Sequence, residues 1–240
     1  MINLGAKFLE GNKMSRHRKR LAAPGTWNIK RKNSMFITEP FPGNRSSLGL
    51  ALSVLLKDIM DFANTNREIK VIINSSNIRI DGKVRKDPKF PVGIFDTVEL
   101  AGLNQYFRVT LNSKGKISLV KINKEEIDVK PCKITGKTET KGKTQLNLFD
   151  GRNILVGKGE YKVGDTLLLS LPNQAINKHL RLDKKSMIFL IGGKHIGEMG
   201  AVEDIVKNKI IYKDKDGELI ETSKQYAFVI GEDKPVITIT

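Results

Sequence analysis

The sequence has few of the residues that disulfides, metal clusters or membrane spans require. Among 240 residues it has one cysteine, Cys132, so neither an intramolecular disulfide nor a cysteine zinc cluster can form. The three histidines, His17, His179 and His195, lack the spacing of metal ligands. The longest apolar stretches, such as residues 50–56, fall far short of the roughly 20 residues that cross a bilayer. We therefore predict no cofactor, no structural metal and no membrane span, and the N-terminus has no apolar run typical of a secretory signal.

Positive charge is what the sequence has in excess. The formal net charge is +16 and the isoelectric point is near 9.8, which favours a polyanionic partner such as nucleic acid. Residues 1–32 hold nine cations against one acid, Glu10, so half of the net charge lies in the first eighth of the chain. A solvated tail is the plainer interpretation of such a block. Phosphates would neutralise the cations and a base would cover Trp27, so we favour nucleic acid.

Three stretches resemble nucleotide-binding motifs without their context. The segment GKTETKGKT (136–144) continues as a strand, whereas a phosphate-binding loop opens a helix. The segment GGKHIGEMG (192–200) is not followed by the helix of a dinucleotide-binding unit. HIGE (195–198) and KMSRH (13–17) occur in the reverse of the order seen in aminoacyl-tRNA synthetases. With no set of catalytic side chains apparent, we predict that the protein is not an enzyme and has no small-molecule substrate.

Two helices and a hairpin are predicted between residues 44 and 104. Apolar residues at helical spacing from Leu48 to Phe62 predict a first helix, capped by Ser46 or Ser47. A capping box, Thr65 to Glu68, opens a second helix whose apolar face is Ile69, Ile72 and Ile73. IRIDGKVR (78–85) alternates around Asp-Gly, the dipeptide typical of a tight hairpin turn. These three elements carry the cations Arg67, Lys70, Arg79, Lys83 and Arg85.

From residue 106 onward, short alternating segments separated by glycines and Asx-Gly turns predict only β-structure. A further unit begins near residue 172. The chain therefore reads as a basic arm, a small helical module and two β units.

Several stretches, taken together, resemble one family. HRKRLAAPGTW, IDGKVRKD followed by FPVGIFDTVEL, GGKHIGEMGAV and YAFVIGEDKPVITI occur in the order found in the archaeal and eukaryotic small-subunit ribosomal protein family S4e. The resemblance runs from about residue 16 to the end, and the short C-terminal region suggests the archaeal form. Gly197 matches the glycine of the KOW motif, whereas His195 stands where the family has asparagine.

The resemblance implies an α+β, multidomain fold. Its expected parts are a basic N-terminal extension and linker (1–43), an S-four-type RNA-binding module of two helices and a β-hairpin (44–105), a central β domain (106–172) and a KOW-type, SH3-like β-barrel with the C-terminal segment (173–240). It also implies a structural constituent of the small ribosomal subunit, cytoplasmic within the ribosome, whose partners are small-subunit rRNA and neighbouring small-subunit proteins. The arm is expected to order only when RNA is present.

An RNA-modifying enzyme that uses the same module, or a regulator that binds other RNA, remains the alternative. We expect RNA contacts chiefly through cations, since arginine can bind phosphate oxygens bidentately. The residues predicted to bind RNA are Arg16, His17, Arg18, Lys19, Arg20, Trp27, Lys30, Arg31, Lys32, Arg45, Arg67, Lys70, Arg79, Lys83, Arg85 and Lys86.

Overall fold

The structure, a computed structural model, describes residues 17–44, 47–75, 77–140, 142–157, 159–214, 216–232 and 234–239. Strands dominate these residues, and two short helices lie near the N-terminal end. The strands are β1 Arg18–Lys19, β2 Phe36–Ile37, β3 Gly49–Ala51, β4 Ile78–Ile80, β5 Lys83–Val84, β6 Pro91–Gly93, β7 Thr97–Leu100, β8 Gln105–Leu111, β9 Ile117–Lys121, β10 Val129–Thr140, β11 Lys143–Leu148, β12 Asn153–Val156, β13 Thr166–Ser170, β14 Ala175–Leu180, β15 Met187–Leu190, β16 Met199–Val206, β17 Lys209–Lys213, β18 Leu219–Ser223 and β19 Ala227–Gly231.

The first helix is shorter than predicted. The segment Gly49–Ala51 is a strand that pairs with β6, so α1 begins only at Leu52 and runs to Val54, followed by a π-helical turn over Leu55–Ile59. Of the two predicted caps, Ser47 is exposed before the strand, and Ser46 lies outside the described residues. β3 is buried along its whole length, so apolar and polar residues do not alternate along it. In the sequence its apolar residues therefore look like a continuation of the helical stripe.

The second helix, α2, spans Asn66–Ser75 and starts as predicted. Thr65 Oγ1 accepts a hydrogen bond from the Glu68 amide at 3.3 Å, and the Glu68 carboxylate accepts one from the Thr65 amide at 3.4 Å. These reciprocal bonds confirm the capping box. A bond from the Asn64 amide, followed by the Thr65 hydroxyl, lowers the pKa of Glu68.

The hairpin between β4 and β5 is also confirmed. Asp81 and Gly82 both have positive φ, +52° and +73°, which defines the type I′ turn that Asp-Gly favours. Ile78 and Ile80 are buried on one face, while Arg79 faces outward between them. The predicted in-and-out pattern therefore holds on β4, but it is wrong for β5, where Val84 is 43% exposed.

Three five-stranded sheets form the body, and all pairs within them are antiparallel. Their strand orders are β5-β4-β7-β8-β9, β12-β11-β10-β13-β14 and β18-β17-β16-β15-β19. The predicted boundary after residue 105 falls at the start of β8, which pairs with β7 of the module. The predicted boundary after residue 172 falls between β13 and β14, which pair with each other. The boundaries predicted from the sequence therefore do not coincide with the boundaries of the sheets.

One hydrophobic core joins the N-terminal and C-terminal parts of the chain. It includes Trp27 from the arm, α1 and α2, the module sheet, Phe189 and Phe228 from the last sheet, and Ile237 and Ile239 from the C-terminal segment. The ring of Phe95 contacts those of Phe189 and Phe228 at centroid distances of 5.6 and 4.5 Å. The arm and the C-terminal segment are thus parts of the same packed unit.

A buried cluster of charges links the module to the middle sheet. The Lys130 ammonium lies 2.8 Å from Asp81, 2.5 Å from Asp96 and 3.2 Å from Asp150, and Arg152 pairs with Asp81 and Asp150. Burial alone would lower the pKa of Lys130, but the Asp81 and Asp96 carboxylates outweigh it and raise that pKa well above its usual value. Two cations face three carboxylates. Burial and the Asp81 charge raise the pKa of Asp96 to about 6.

Candidate nucleic-acid interface

The arm folds back as a two-stranded ribbon with cations on its outer side. β1 pairs with β2, placing Arg18 opposite Ile37 and Lys19 opposite Phe36. Arg18 donates to Glu39 at 2.7 Å and its guanidinium carbon lies 6.0 Å from the centroid of the Trp27 ring. Lys19 is exposed and has no carboxylate partner among the described residues. Of these two cations, Lys19 is the one available to an anion without loss of an existing bond.

Arg20 has a structural role in this fold. Its side chain is 3% exposed, its Nε donates to the Lys30 carbonyl at 2.6 Å, and it forms an ion pair with Asp58 in the π-helical turn after α1. A guanidinium held in this way cannot reach a phosphate unless the arm separates from this turn. The prediction that Arg20 binds RNA does not agree with this geometry, because the charge is already neutralised inside the protein.

Trp27 packs on the body instead of facing outward. It is 1% exposed, and its Nε1 donates to the Gly49 carbonyl at 3.1 Å. The preceding turn binds the module sheet, since the Ile117 amide donates to the Thr26 carbonyl at 2.7 Å. This geometry supports packing of the indole on the body over the contact with a base considered in the sequence analysis. The expectation that the whole arm orders only with RNA is wrong for residues 17–44.

The second basic cluster of the arm is divided in the same manner. Arg31 is half-buried and donates to the carbonyls of Ala23 at 2.8 Å and Pro24 at 2.9 Å, so it closes the turn of the arm. Lys30 and Lys32 are exposed and form no ion pair within the described part of the chain. The alternation places two lysines outward and the arginine inward.

The cations of the module are mostly exposed. Arg67 and Lys70 on α2 have no carboxylate partner among the residues described, nor do Lys83 and Lys86 on and after β5. Arg79, which is exposed, lies 3.5 Å from the half-buried Glu99 on the neighbouring strand, and this is a loose ion pair. These side chains can exchange water for phosphate at little cost.

Arg85 differs from its neighbours because it is stacked. Its guanidinium carbon lies 4.2 Å from the centroid of the Phe90 ring, and its Nε is buried without a hydrogen-bond partner among the described residues. The stacking fixes the plane of the guanidinium. Arg16 and Arg45, also predicted to bind RNA, lie outside the described residues, whereas His17 is exposed at the start of β1.

The glycine-rich loop before β16 shows why Gly197 is required. Gly197 has φ +87°, and a Cβ there would lie 2.1 Å from the Asn112 carbonyl oxygen of the β8–β9 hairpin. His195, the departure from the family pattern, lies 3.0 Å through Nδ1 from Glu198, which also accepts a bond from Tyr212 at 3.3 Å. The loop is therefore a packing contact between two sheets. Sequence reasoning gave this loop no such contact.

The described residues offer a buried thiol and exposed cations. Within the described ranges, no three His, Cys, Asp or Glu side chains are grouped so as to hold a metal ion. None of the helices described is long and apolar enough to cross a membrane. The one cysteine, Cys132, is buried, and burial followed by the Asp150 carboxylate raises the pKa of its thiol well above the usual value. Exposed cations on a β-rich body are typical of nucleic-acid-binding proteins.

Comparison with known proteins gives the family. The model of Ribosomal family S4e matches residues 103–176, and the RS4NT (NUC023) domain matches residues 14–44. The small ribosomal subunit protein eS4 of Methanocaldococcus jannaschii is 40% identical over 240 residues, covering 93% of this chain and 97% of that protein. The protein of the same name from Archaeoglobus fulgidus is 39% identical over 232 residues, with the same coverage. The chain belongs to the S4e family of ribosomal proteins, which confirms the resemblance seen in the sequence.

A solved structure agrees with this assignment. The crystal structure of the 30S ribosomal protein S4e from Thermoplasma acidophilum superposes with a TM-score of 0.67 at 27% identity, covering 77% of this chain and 96% of that one. The family membership favours a structural, non-enzymatic ribosomal protein over the RNA-modifying enzyme considered as an alternative.

Proposed function

We propose that this protein is a structural constituent of the small ribosomal subunit that binds its rRNA through the exposed cations of the arm and the module. It acts in the cytoplasm within the ribosome, beside other small-subunit proteins. The observation that supports the proposal is the sorting of cations in the arm and the module: Lys19, Lys30 and Lys32 face outward without carboxylate partners among the described residues, while Arg20 and Arg31 face inward and are already bound. Lysines without internal partners on a chain of net charge +16 suit a phosphate backbone.

In this proposal some residues bind phosphate and others hold the arm in position. Arg18 at the edge of the ribbon and Arg79 on the hairpin would exchange their carboxylate partners for phosphate, and Arg85 would bind as a stacked guanidinium. Arg20, Trp27 and Arg31 hold the arm in place, so they act on RNA binding through the arm's position. The cations proposed to meet phosphates directly are His17, Lys19, Lys30, Lys32, Arg67, Lys70, Lys83 and Lys86.

The module architecture is part of the proposal. α1, α2 and the β4–β5 hairpin suit an S-four-type RNA-binding module within residues 44–105, and its sheet extends through β8 and β9. The loop around Gly197 and the sheet that follows suit a KOW-type, SH3-like unit within residues 173–240. In this proposal the middle sheet forms the central β domain expected for residues 106–172, although β8 and β9 of that range belong to the module sheet and β14 comes from the next segment.

The test is co-sedimentation with small subunits in a sucrose gradient, followed by washing at rising salt and quantification of the chain. We expect about one copy per subunit to persist through a moderate wash, because neutralised phosphates and a fitted surface act together. Release at low salt, or sedimentation elsewhere, would contradict the proposal and favour a transient RNA-binding regulator.

The role of the arm needs a charge variant, because deletion of residues 1–32 would also remove Trp27 from the core. Replacing Lys19, Lys30 and Lys32 by glutamine leaves the packing intact. For each phosphate that the variant no longer neutralises, the salt slope of rRNA binding should fall by about 0.7 to 0.9. An unchanged slope would remove the arm from the interface.

A further inference from the structure

A cleft of about 340 Å³ lies between the arm ribbon and the two helices. Met35 and Phe36 line it on the arm side, and Ser53, Lys57 and Asn66 line it on the helical side. Its volume is in the range of small-ligand sites, and it is built from two elements that the Arg20–Asp58 ion pair holds together. The two walls of the cleft are therefore joined by a buried ion pair.

Phe36 is the exposed aromatic residue of the arm that lines this cleft. The ring is 51% exposed, although it sits on a strand whose neighbouring residue, Ile37, is buried. The His17 ring lies 5.7 Å away at a tilt of 52°, and Lys19 is directly opposite in the strand register. The ring thus offers an exposed apolar face flanked by two basic side chains.

The charge of the cleft suits an anionic partner. Among the described residues of its lining Asp58 is the one acid, and Arg20 neutralises it. Lys57 lines the cleft without an ion-pair partner among the described residues. Together with Lys19 beside the ring, this gives a flat apolar group flanked by positive charge, the combination with which proteins hold single-stranded nucleic acid.

The wall also offers polar groups that could bind a base edge. Ser53 is 4% exposed, lines the cleft, and its hydroxyl has no hydrogen-bond partner in the described part of the chain. Asn66, the first residue of α2, adds a side-chain amide with both a donor and an acceptor. The Ser53 oxygen has almost no accessible surface, so the exposed Asn66 amide is the polar group of this wall that a base edge can reach.

We propose that this cleft takes an unpaired RNA base, stacked on Phe36, with the adjoining phosphates near Lys19 and Lys57. The inference rests on the proposed function, and it adds a contact with a single-stranded nucleotide to the general contact with phosphates. Stacking on an aromatic face tolerates any base, so the site selects for an unpaired base more than for its identity.

The experiment compares Phe36→Ala, Phe36→Leu and Phe41→Ala with the wild type. Phe41 is the matched control: it is 48% exposed on the same segment, but the Lys89 ammonium already lies 5.9 Å from its ring centroid. Binding is measured by fluorescence anisotropy with a short oligouridine and a blunt RNA duplex of the same length, over a range of salt. Thermal unfolding checks that each variant folds.

We expect Phe36→Ala and Phe36→Leu to weaken oligouridine binding roughly tenfold with no change in salt slope, because these variants remove base stacking and keep every phosphate-binding cation. Duplex binding and Phe41→Ala should stay within about twofold of the wild type, since a paired base has no free face to stack. In Phe36→Trp, the new indole fluorescence should be quenched by oligouridine while buried Trp27 gives a constant background.

The outcomes separate the two proposals. If the wild type binds neither RNA nor small subunits, the proposed function fails, and this inference fails with it. If the wild type binds and Phe36→Ala binds equally well, the function stands and the base site is refuted. Full binding by Phe36→Leu would also refute stacking, because the contact would then be a general apolar one, such as that with a neighbouring protein.

Discussion

The ammonium nitrogen of Lys130 lies 2.5 Å from a carboxylate oxygen of Asp96, although the first is on β10 of the middle sheet and the second is in the loop before β7 of the module. Removing this cation by Lys130→Met would leave three buried carboxylates facing Arg152 alone. We expect the free energy of unfolding in urea to fall by about 3 to 5 kcal/mol, the usual cost of breaking a buried ion pair.

Lys178→Met is the control for that change. Lys178 also pairs with a carboxylate, Glu232 at 2.9 Å, but both side chains are largely exposed. Its loss should cost less than about 1 kcal/mol. Equal effects of the two substitutions would contradict a structural role for the buried cluster.

The same cluster predicts an unusual dependence on pH. The pKa of Asp96 is about 6 in the folded protein, above the value of about 4 expected in the unfolded chain. Protonation therefore favours the folded state, and the contribution of Asp96 to stability is fully present below pH 4 and is lost as the pH rises through 6.

The measurement is the difference in unfolding free energy between the wild type and Asp96→Asn from pH 4 to pH 7. The wild type should gain stability relative to the variant as the pH falls. The difference isolates Asp96 from Glu126 and Asp150, whose lowered pKa values make the whole protein less stable in acid. A difference that is constant with pH would contradict this prediction.

Gly197→Ala should disrupt the contact between the last sheet and the β8–β9 hairpin. The added Cβ meets the Asn112 carbonyl oxygen, and φ +87° is strained for alanine. We expect a loss of at least about 2 kcal/mol by thermal or urea unfolding. At Gly102 nothing lies within 4 Å of the added carbon and φ is not positive, so Gly102→Ala should stay within about 0.5 kcal/mol of the wild type.

Adjacent arm cations should give opposite results. Arg20→Gln removes a buried ion pair with Asp58 and should lower stability by about 3 kcal/mol. Lys19→Gln should leave stability unchanged and lower the salt slope of rRNA binding by about 0.7 to 0.9. Urea unfolding and rRNA binding over a salt series measure both quantities. Should Arg20→Gln alter only the slope, the arm would not be held by this pair.

Structural features that depend only on neighbouring residues could be predicted from the sequence. The capping box at Thr65 and the turn at Asp81–Gly82 depend on four or fewer consecutive residues, and both are present as expected. The family followed from several co-linear stretches. In contrast, the predicted start of the first helix was wrong. β3 pairs with β6, about forty residues later, and apolar residues at helical spacing do not show that partner.

The candidate site was predicted only as a set of charges. A sequence shows that Lys19 and Arg20 are both basic, but not that Asp58 lies beside one of them and solvent beside the other. The same limit applies to the aromatic residues of the arm: Trp27 was singled out because it is the only tryptophan, yet Phe36 has the exposed ring. Long-range packing decides which residue of each pair is buried, and a local sequence pattern does not show that packing.

The C-terminal segment completes the core, so the fold can be finished only late in synthesis. Thr238 donates its amide and hydroxyl to the Glu126 carboxylate, 112 positions earlier, and Ile237 and Ile239 are buried with Trp27 in one core. A nascent chain thus exposes its basic arm long before the residues that complete the arm's support exist. Such long-range closure makes folding slow relative to local structure formation. During synthesis there is therefore an interval in which the cations of the arm are exposed and the core that holds the arm is incomplete. In that interval any nearby RNA can compete with the site at which the protein assembles.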